Sequence, residues 1–196
     1  RKKVIYDVHE DYSKQILSKP YIPKSVRKVI SSLIKALEYI SSRFFDGIIT
    51  ATDDILRNFV YHKRVISVRN FPIIAYFPNP ARFDRESKDA FNLIYVGGLT
   101  EIRGIVQIVQ ALELVDSNKQ LKLILCGKFD PPEFELEVSS LKEFERVEYL
   151  GWVDSEKIPA LLSRTDLGIV CLHPISNYLT ALPIKLFEYM SAGLPV

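Results

Sequence analysis

The chain has 196 residues, 47% of them apolar and 26% charged, a balance that suits a folded protein with a buried core and excludes a disordered or fibrous one. A net charge of +2 is too small to imply nucleic-acid binding, and no apolar run approaches the ~20 residues of a membrane span. The charge is unevenly spread: residues 1–45 hold ten Lys or Arg against four Asp or Glu, so any anionic surface would be met by the N-terminal part.

Residues 4–8 read as a strand that delivers polar His9, Glu10 and Asp11 at its C-terminal end. Apolar residues recur at 26, 29, 30, 33, 37, 40 and 44, which predicts an amphipathic helix over 25–45 with its apolar stripe on the core. Residues 47–51 read as a strand, Thr52 as the cap of a helix over 53–61, and 65–68 as a further strand. Residues 72–91 contain three prolines and a charged cluster, with neither helical nor strand period, and read as a linker.

A second alternation follows, with strands at 92–96, 121–126, 147–150 and 167–171 and helices at 103–115, 133–144 and 155–163. It closes on a helix of about ten residues that starts at Pro183 and is stopped by Gly193 and Pro195. Near-continuously apolar strands joined by helices predict α/β architecture, with parallel sheets covered on both faces. Right-handed crossovers then make two Rossmann-like doubly wound domains, an incomplete one over 1–71 and a second over 92–196. The two cysteines, Cys126 and Cys171, are isolated thiols, which favours a reduced, cytoplasmic setting over a disulfide scaffold.

In open parallel sheets ligands bind beyond the C-terminal ends of the strands. The first such place is the glycine loop at 97–104, between a strand and a helix, where backbone N–H groups and a helix N-terminus favour phosphate. Arg103 adds a charge suited to a diphosphate. The glycine spacing is not that of a dinucleotide fold and no Walker lysine follows, and a tight turn alone would also explain paired glycines. Gly127-Lys128, Trp152 and His173 lie at the other strand ends; a tryptophan is more often core, and His173 leaves its strand beside Pro174. Glu188 sits among Leu, Phe, Tyr and Met in the closing helix, where a lone buried carboxylate is costly. Either it pairs with Lys185, one turn earlier, or it binds something.

Taken together, Tyr95-Val-Gly-Gly-Leu-Thr-Glu-Ile-Arg-Gly104, Leu125-Cys-Gly127, Leu150-Gly-Trp-Val153, Asp166-Leu-Gly-Ile-Val170 and the closing segment 182–196 resemble, in order and spacing, the family 4 (group 1) retaining glycosyltransferases. The resemblance implies the GT-B fold, two Rossmann-like domains with the first incomplete here. It implies transfer of a sugar from a nucleotide-sugar donor, with retention, to a glycan or lipid-linked acceptor in surface polysaccharide or glycoconjugate synthesis. It also implies no cofactor and no metal, and a fragment that lacks both termini and is inactive alone.

Residue by residue, Glu188 matches the carboxylate that holds the donor ribose, Arg103 a diphosphate-binding cation, and His9 a catalytic histidine beside the transferred sugar. Gly97, Gly98, Gly127, Lys128, Trp152 and His173 would line the nucleotide. Two positions depart from the family pattern: Thr180 stands where the first glutamate of a pair belongs, and Gly98 where an arginine is usual. A GT-B nucleotide-sugar epimerase and a non-catalytic sugar-nucleotide-binding protein are the alternative readings. The basic helix at 25–45 has two readings as well, a solvated face or a peripheral contact with anionic membrane at its inner face.

Overall fold

The computed structural model describes residues 2–19, 21–77, 90–115, 120–175, 178–179 and 181–196. Thr180 and residues 78–89 of the expected linker lie outside the described residues. The chain divides into two compact units, Arg1–Asn70 with Pro174–Leu182, and Phe71–His173 with Pro183–Val196.

In the first unit, β1 (Ile5–Val8), β2 (Gly47–Thr50) and β3 (Val65–Ser67) form a parallel sheet in the order β1-β2-β3. Its core is Val8, Ile48, Ile55 and Phe59, with Tyr6 and Val65 packed against them. Helix α1 (Tyr12–Ser18) is a short element with no buried residue, too weakly periodic to be expected from sequence. It starts because the Asp11 carboxylate accepts the Lys14 N–H, the Ser13 hydroxyl and an Asn58 amide proton. Burial alone would raise the Asp11 pKa, but those hydrogen bonds and the Lys14 charge hold it below the usual value.

Helix α2 (Lys24–Ser42) confirms the amphipathic pattern but not its direction. The stripe expected on the core is open: Val29 is 60% exposed, Leu33 64%, Leu37 67% and Ile40 56%. The inward side is chosen by polar contacts instead. Arg27 donates to the carbonyls of Leu17 and Ile22, Ser31 to that of Ser13, and the Tyr6 hydroxyl to Glu38. These residues lie about 145° round the helix from the apolar stripe, close to its opposite side. After β2, Thr52 caps α3 (Asp53–Leu56), accepting the Ile55 N–H, and the helix tightens into a 3-10 turn over Arg57–Phe59.

The second unit holds β4 (Ala90–Val96), β5 (Gln120–Cys126), β6 (Val147–Gly151) and β7 (Leu167–Gly168), all parallel, in the order β6-β5-β4-β7. Helices α4 (Ile105–Leu114) and α5 (Phe134–Ser139) pack on one face, and α6 (Ile158–Leu162) and α7 (Ile184–Ser191) on the other. Alternate residues of one strand serve opposite layers: Tyr95 and Leu123 join the first cluster, Ile94 and Ile124 the second. That is why β4 and β5 read as continuous apolar runs. Each fully buried Leu or Ile of these layers stabilises by about 1.5–3 kcal/mol.

Two expected elements are shorter than predicted. The strand expected over 167–171 is a ladder of two residues, because only Leu167 and Gly168 pair with β4 before the chain leaves the sheet after the Ile169 N–H bonds to the Ile94 carbonyl. The helix expected over 133–144 ends at Ser139, where the Ser139 and Ser140 hydroxyls bond back to the carbonyls of Leu136 and Glu137. A separate 3-10 turn then covers Lys142–Arg146.

Candidate functional site

The C-terminal ends of β4, β5 and β6 are stitched together backbone to backbone. Gly97 N–H donates to the Cys126 carbonyl at 2.8 Å, Gly127 N–H to Gly151 at 2.7 Å, and Leu99 N–H to Lys128 at 2.9 Å. Only glycine fits at 127: its φ is 152°, and an added Cβ would stand 1.9 Å from the Gly97 carbonyl oxygen. The loop then turns through Glu101–Arg103 as a 3-10 turn into Gly104, whose φ of 66° opens α4. Leu99, fully buried, pins the loop from below.

Tyr189 fixes α7 against this loop. Its ring fills the space that a side chain at Gly168 would need, and its hydroxyl accepts the Val96 N–H at 2.9 Å. One turn earlier on the same helix, Lys185 therefore points at the end of β4. Its Nζ lies 3.6 Å from the centre of the Tyr95 ring, and a Cβ on Gly97 would stand only 3.1 Å from it. The Tyr95 hydroxyl in turn donates to the Gly98 carbonyl at 3.2 Å. The Arg103 guanidinium lies over the same loop, 3.1 Å from where a Gly98 Cβ would be.

The intrahelical ion pair expected as the simplest partner for Glu188 is not formed: among the described residues Lys185 Nζ has no hydrogen-bond partner and no ion pair joins it to Glu188. The buried charge of the helix is Lys185, 8% exposed, while Glu188 is half-buried. Burial, then the Arg103 charge, pull Lys185 down to about 7, with Glu188 opposing. Burial pushes Glu188 up, and the Lys185 charge opposes that. A half-open carboxylate on the helix whose Lys185 touches the loop can accept two hydroxyls at once, and a glycine loop with the Arg103 guanidinium beside it attracts phosphate.

The remaining sequence-expected residues fall into three places. Lys128 and Trp152 stand together on the ends of β5 and β6, with Lys128 Nζ 5.6 Å from the Trp152 ring centre. Trp152 is 65% exposed and not a core residue. His173 bonds through Nε2 to Gln107 of α4 at 3.2 Å, and its N–H donates to Ile102, so it stands beside the glycine loop. His9 belongs to the first unit, where the Asn70 amide donates to its Nδ1 at 3.1 Å and its Nε2 donates to Asp7 at 3.1 Å. With Nδ1 accepting, the proton resides on Nε2. Among the described residues no three His, Cys, Asp or Glu side chains are grouped to hold a metal ion.

A family model described as "Glycosyl transferases group 1" matches residues 90–196, more than half of the chain, and takes in the unit that carries this loop from Ala90 onward. The chain belongs to the group 1 glycosyl transferases. A curated relative, the chitobiosyldiphosphodolichol beta-mannosyltransferase of Mus musculus, is 32% identical over 96 residues, 48% of this chain and 20% of its own. Two solved structures share the fold: sucrose-phosphate synthase from Thermosynechococcus elongatus (TM-score 0.67, 19% identity, 98% of this chain and 49% of that one) and Anabaena HepE in complex with UDP-glucose (TM-score 0.67, 18% identity, 100% and 53%). WaaG, a glycosyltransferase involved in lipopolysaccharide biosynthesis, is also similar (TM-score 0.57, 22% identity, 76% and 43%). The architecture is GT-B, and this group 1 glycosyl transferase chain spans a fifth of the curated relative's length and about half of the solved chains.

Within this group 1 glycosyl transferase, sequence reasoning missed Tyr95 and Tyr189. Both lie in apolar runs and carry no local pattern that separates them from core; what singles them out is contact with residues some ninety positions away.

Proposed function

We propose that the second unit carries the nucleotide-sugar donor site of a retaining hexosyltransferase that acts in surface polysaccharide or glycoconjugate synthesis on a glycan or lipid-linked acceptor. The observation that carries this reading is the convergence of Gly97, Gly98 and the Arg103 guanidinium at the end of β4, with half-open Glu188 on the adjoining α7. Such a loop suits a diphosphate, and Glu188 suits the vicinal hydroxyls of a ribose. Lys128 and the exposed face of Trp152 offer a place for the base, and His173 borders the same loop. Reaction at the sugar is assigned to His9, with no metal and no cofactor taking part, in a cytoplasmic setting. Family membership, the UDP-glucose complex of HepE and the lipopolysaccharide role of WaaG support the reading.

Titration calorimetry with UDP and GDP tests it: binding of at least one nucleoside diphosphate is expected, and no binding to folded protein would remove the reading. A transfer assay on a longer chain then separates a transferase from an epimerase, since only the latter returns an epimerised nucleotide sugar.

The peripheral contact with anionic membrane rests on α2. No described helix is long and apolar enough to cross a membrane. Exposed Lys24, Lys28 and Lys35 lie on the side of α2 away from its apolar stripe. Salt-sensitive sedimentation with phosphatidylglycerol vesicles supports the contact; absence of sedimentation ends it.

A further inference from the structure

Lys185 is the one described cation that is both buried and without a hydrogen-bond partner. A lysine sealed from water costs the fold stability unless something repays it, and a Met or Leu would fill the same space against Tyr95 without that penalty. Its position says what the charge is for. The ammonium lies on the Tyr95 ring and against Gly97, where an added Cβ would stand 3.1 Å from it. The groups facing it are Tyr95 from β4, Arg103 from the turn before α4, Cys171 from the segment after β7, and Glu188 from its own helix. Lys185 also lies in the first turn of α7, whose dipole disfavours a cation. Of these, Arg103 and the helix end oppose the charge, while Glu188 is too far for an ion pair.

Resting on the donor-site reading above, we propose that Lys185 is a positioning residue that takes up a proton when a diphosphate settles on the Gly97-Gly98 loop, so that donor binding is coupled to pH. In the empty site its protonation is held near neutrality by burial and by Arg103. Two negative charges arriving on the loop reverse the local balance: they offset Arg103 and favour the ammonium. The proton comes from solvent and leaves when the nucleotide does, so the site gains its second cation only while the anion is present.

The test is calorimetry of the whole chain with UDP-glucose, GDP-mannose and inorganic pyrophosphate, run at pH 8 in buffers of different ionisation enthalpy. The sugar nucleotides are chosen because their diphosphate does not titrate there. Binding is expected with uptake of about 0.5–1 proton, and with affinity falling up to ~tenfold per unit between pH 7 and 9. Lys185→Met should abolish both the uptake and the slope while the far-ultraviolet spectrum stays unchanged. Should that variant fail to fold, Lys185→Arg carries the test, because a guanidinium keeps its charge and leaves binding strong but flat with pH. Binding without uptake, or the same uptake in the variants, overturns the inference. If a sugar nucleotide binds without Lys185-dependent uptake, the inference falls and the donor-site reading stands; if pyrophosphate alone binds with that uptake, the loop holds a diphosphate that is no donor, and the donor-site reading falls together with the coupling of donor binding that rests on it. If none of the three binds, both fall.

Discussion

Three residues of the second unit can be tested one at a time. Gly127 has no room for a methyl group and a backbone that disfavours one, so Gly127→Ala should cost about 2–3 kcal/mol, read as a lower urea midpoint with unchanged slope. Glu188→Gln keeps shape and removes charge at a half-buried position. It should leave the fold intact and weaken nucleoside diphosphate binding about tenfold or more, as loss of hydrogen bonds to a charged acceptor does. Lys185 bears on stability as well as binding. Its value in the fold is about 7 against an ordinary 10.5, so between those limits the unfolded chain holds a proton that the folded chain does not. Stability attributable to Lys185 therefore rises with pH across that window, and the penalty is complete below it. Chemical denaturation at pH 7 and pH 9.5 should show a larger gain for the native chain than for Lys185→Met; equal gains would mean that the lysine titrates normally.

At the scale of elements, helix α2 departs furthest from expectation. Its stripe at 29, 33, 37 and 40 is open, so Leu33→Ser with Leu37→Ser should change stability by less than about 0.5 kcal/mol per site. Phe59→Ala, in the sealed core of the same unit, should cost about 3–5 kcal/mol. A large loss from the α2 pair would show the stripe to be covered. Periodicity told that α2 is amphipathic but not which neighbour takes its apolar side, because Arg27, Ser31 and Glu38 make their contacts with distant segments. The strands of the second unit were legible because both faces are buried, which leaves a continuous apolar run. β7 was legible only in part, since pairing with one neighbour ends after two residues while the apolar run goes on. For the site, the Gly97-Gly98 loop and Arg103 could be found from spacing. The exchange of roles in α7, where Lys185 and not Glu188 is the buried charge, could not: it depends on how Tyr189 rotates the helix against β4 and Gly168.

For the molecule as a whole, the central claim is that one of its two units binds a nucleotide sugar on the glycine loop, as a group 1 glycosyl transferase would. The glycines themselves report on it. There are only eight: Gly97, Gly98 and Gly104 in the loop, Gly127 and Gly151 on the adjoining strand ends, Gly168 buried under Tyr189, Gly193 exposed after the end of α7, and Gly47 in the other unit. A protein labelled with nitrogen-15 only at glycine gives a spectrum in which every amide can be followed while UDP-glucose is added. The Gly97, Gly98 and Gly127 signals should move together and saturably, Gly47 should stay in place, and Arg103→Ala should weaken the response. A saturable response at Gly47 with the three loop signals unmoved, or no response from folded protein at millimolar nucleotide, would contradict it.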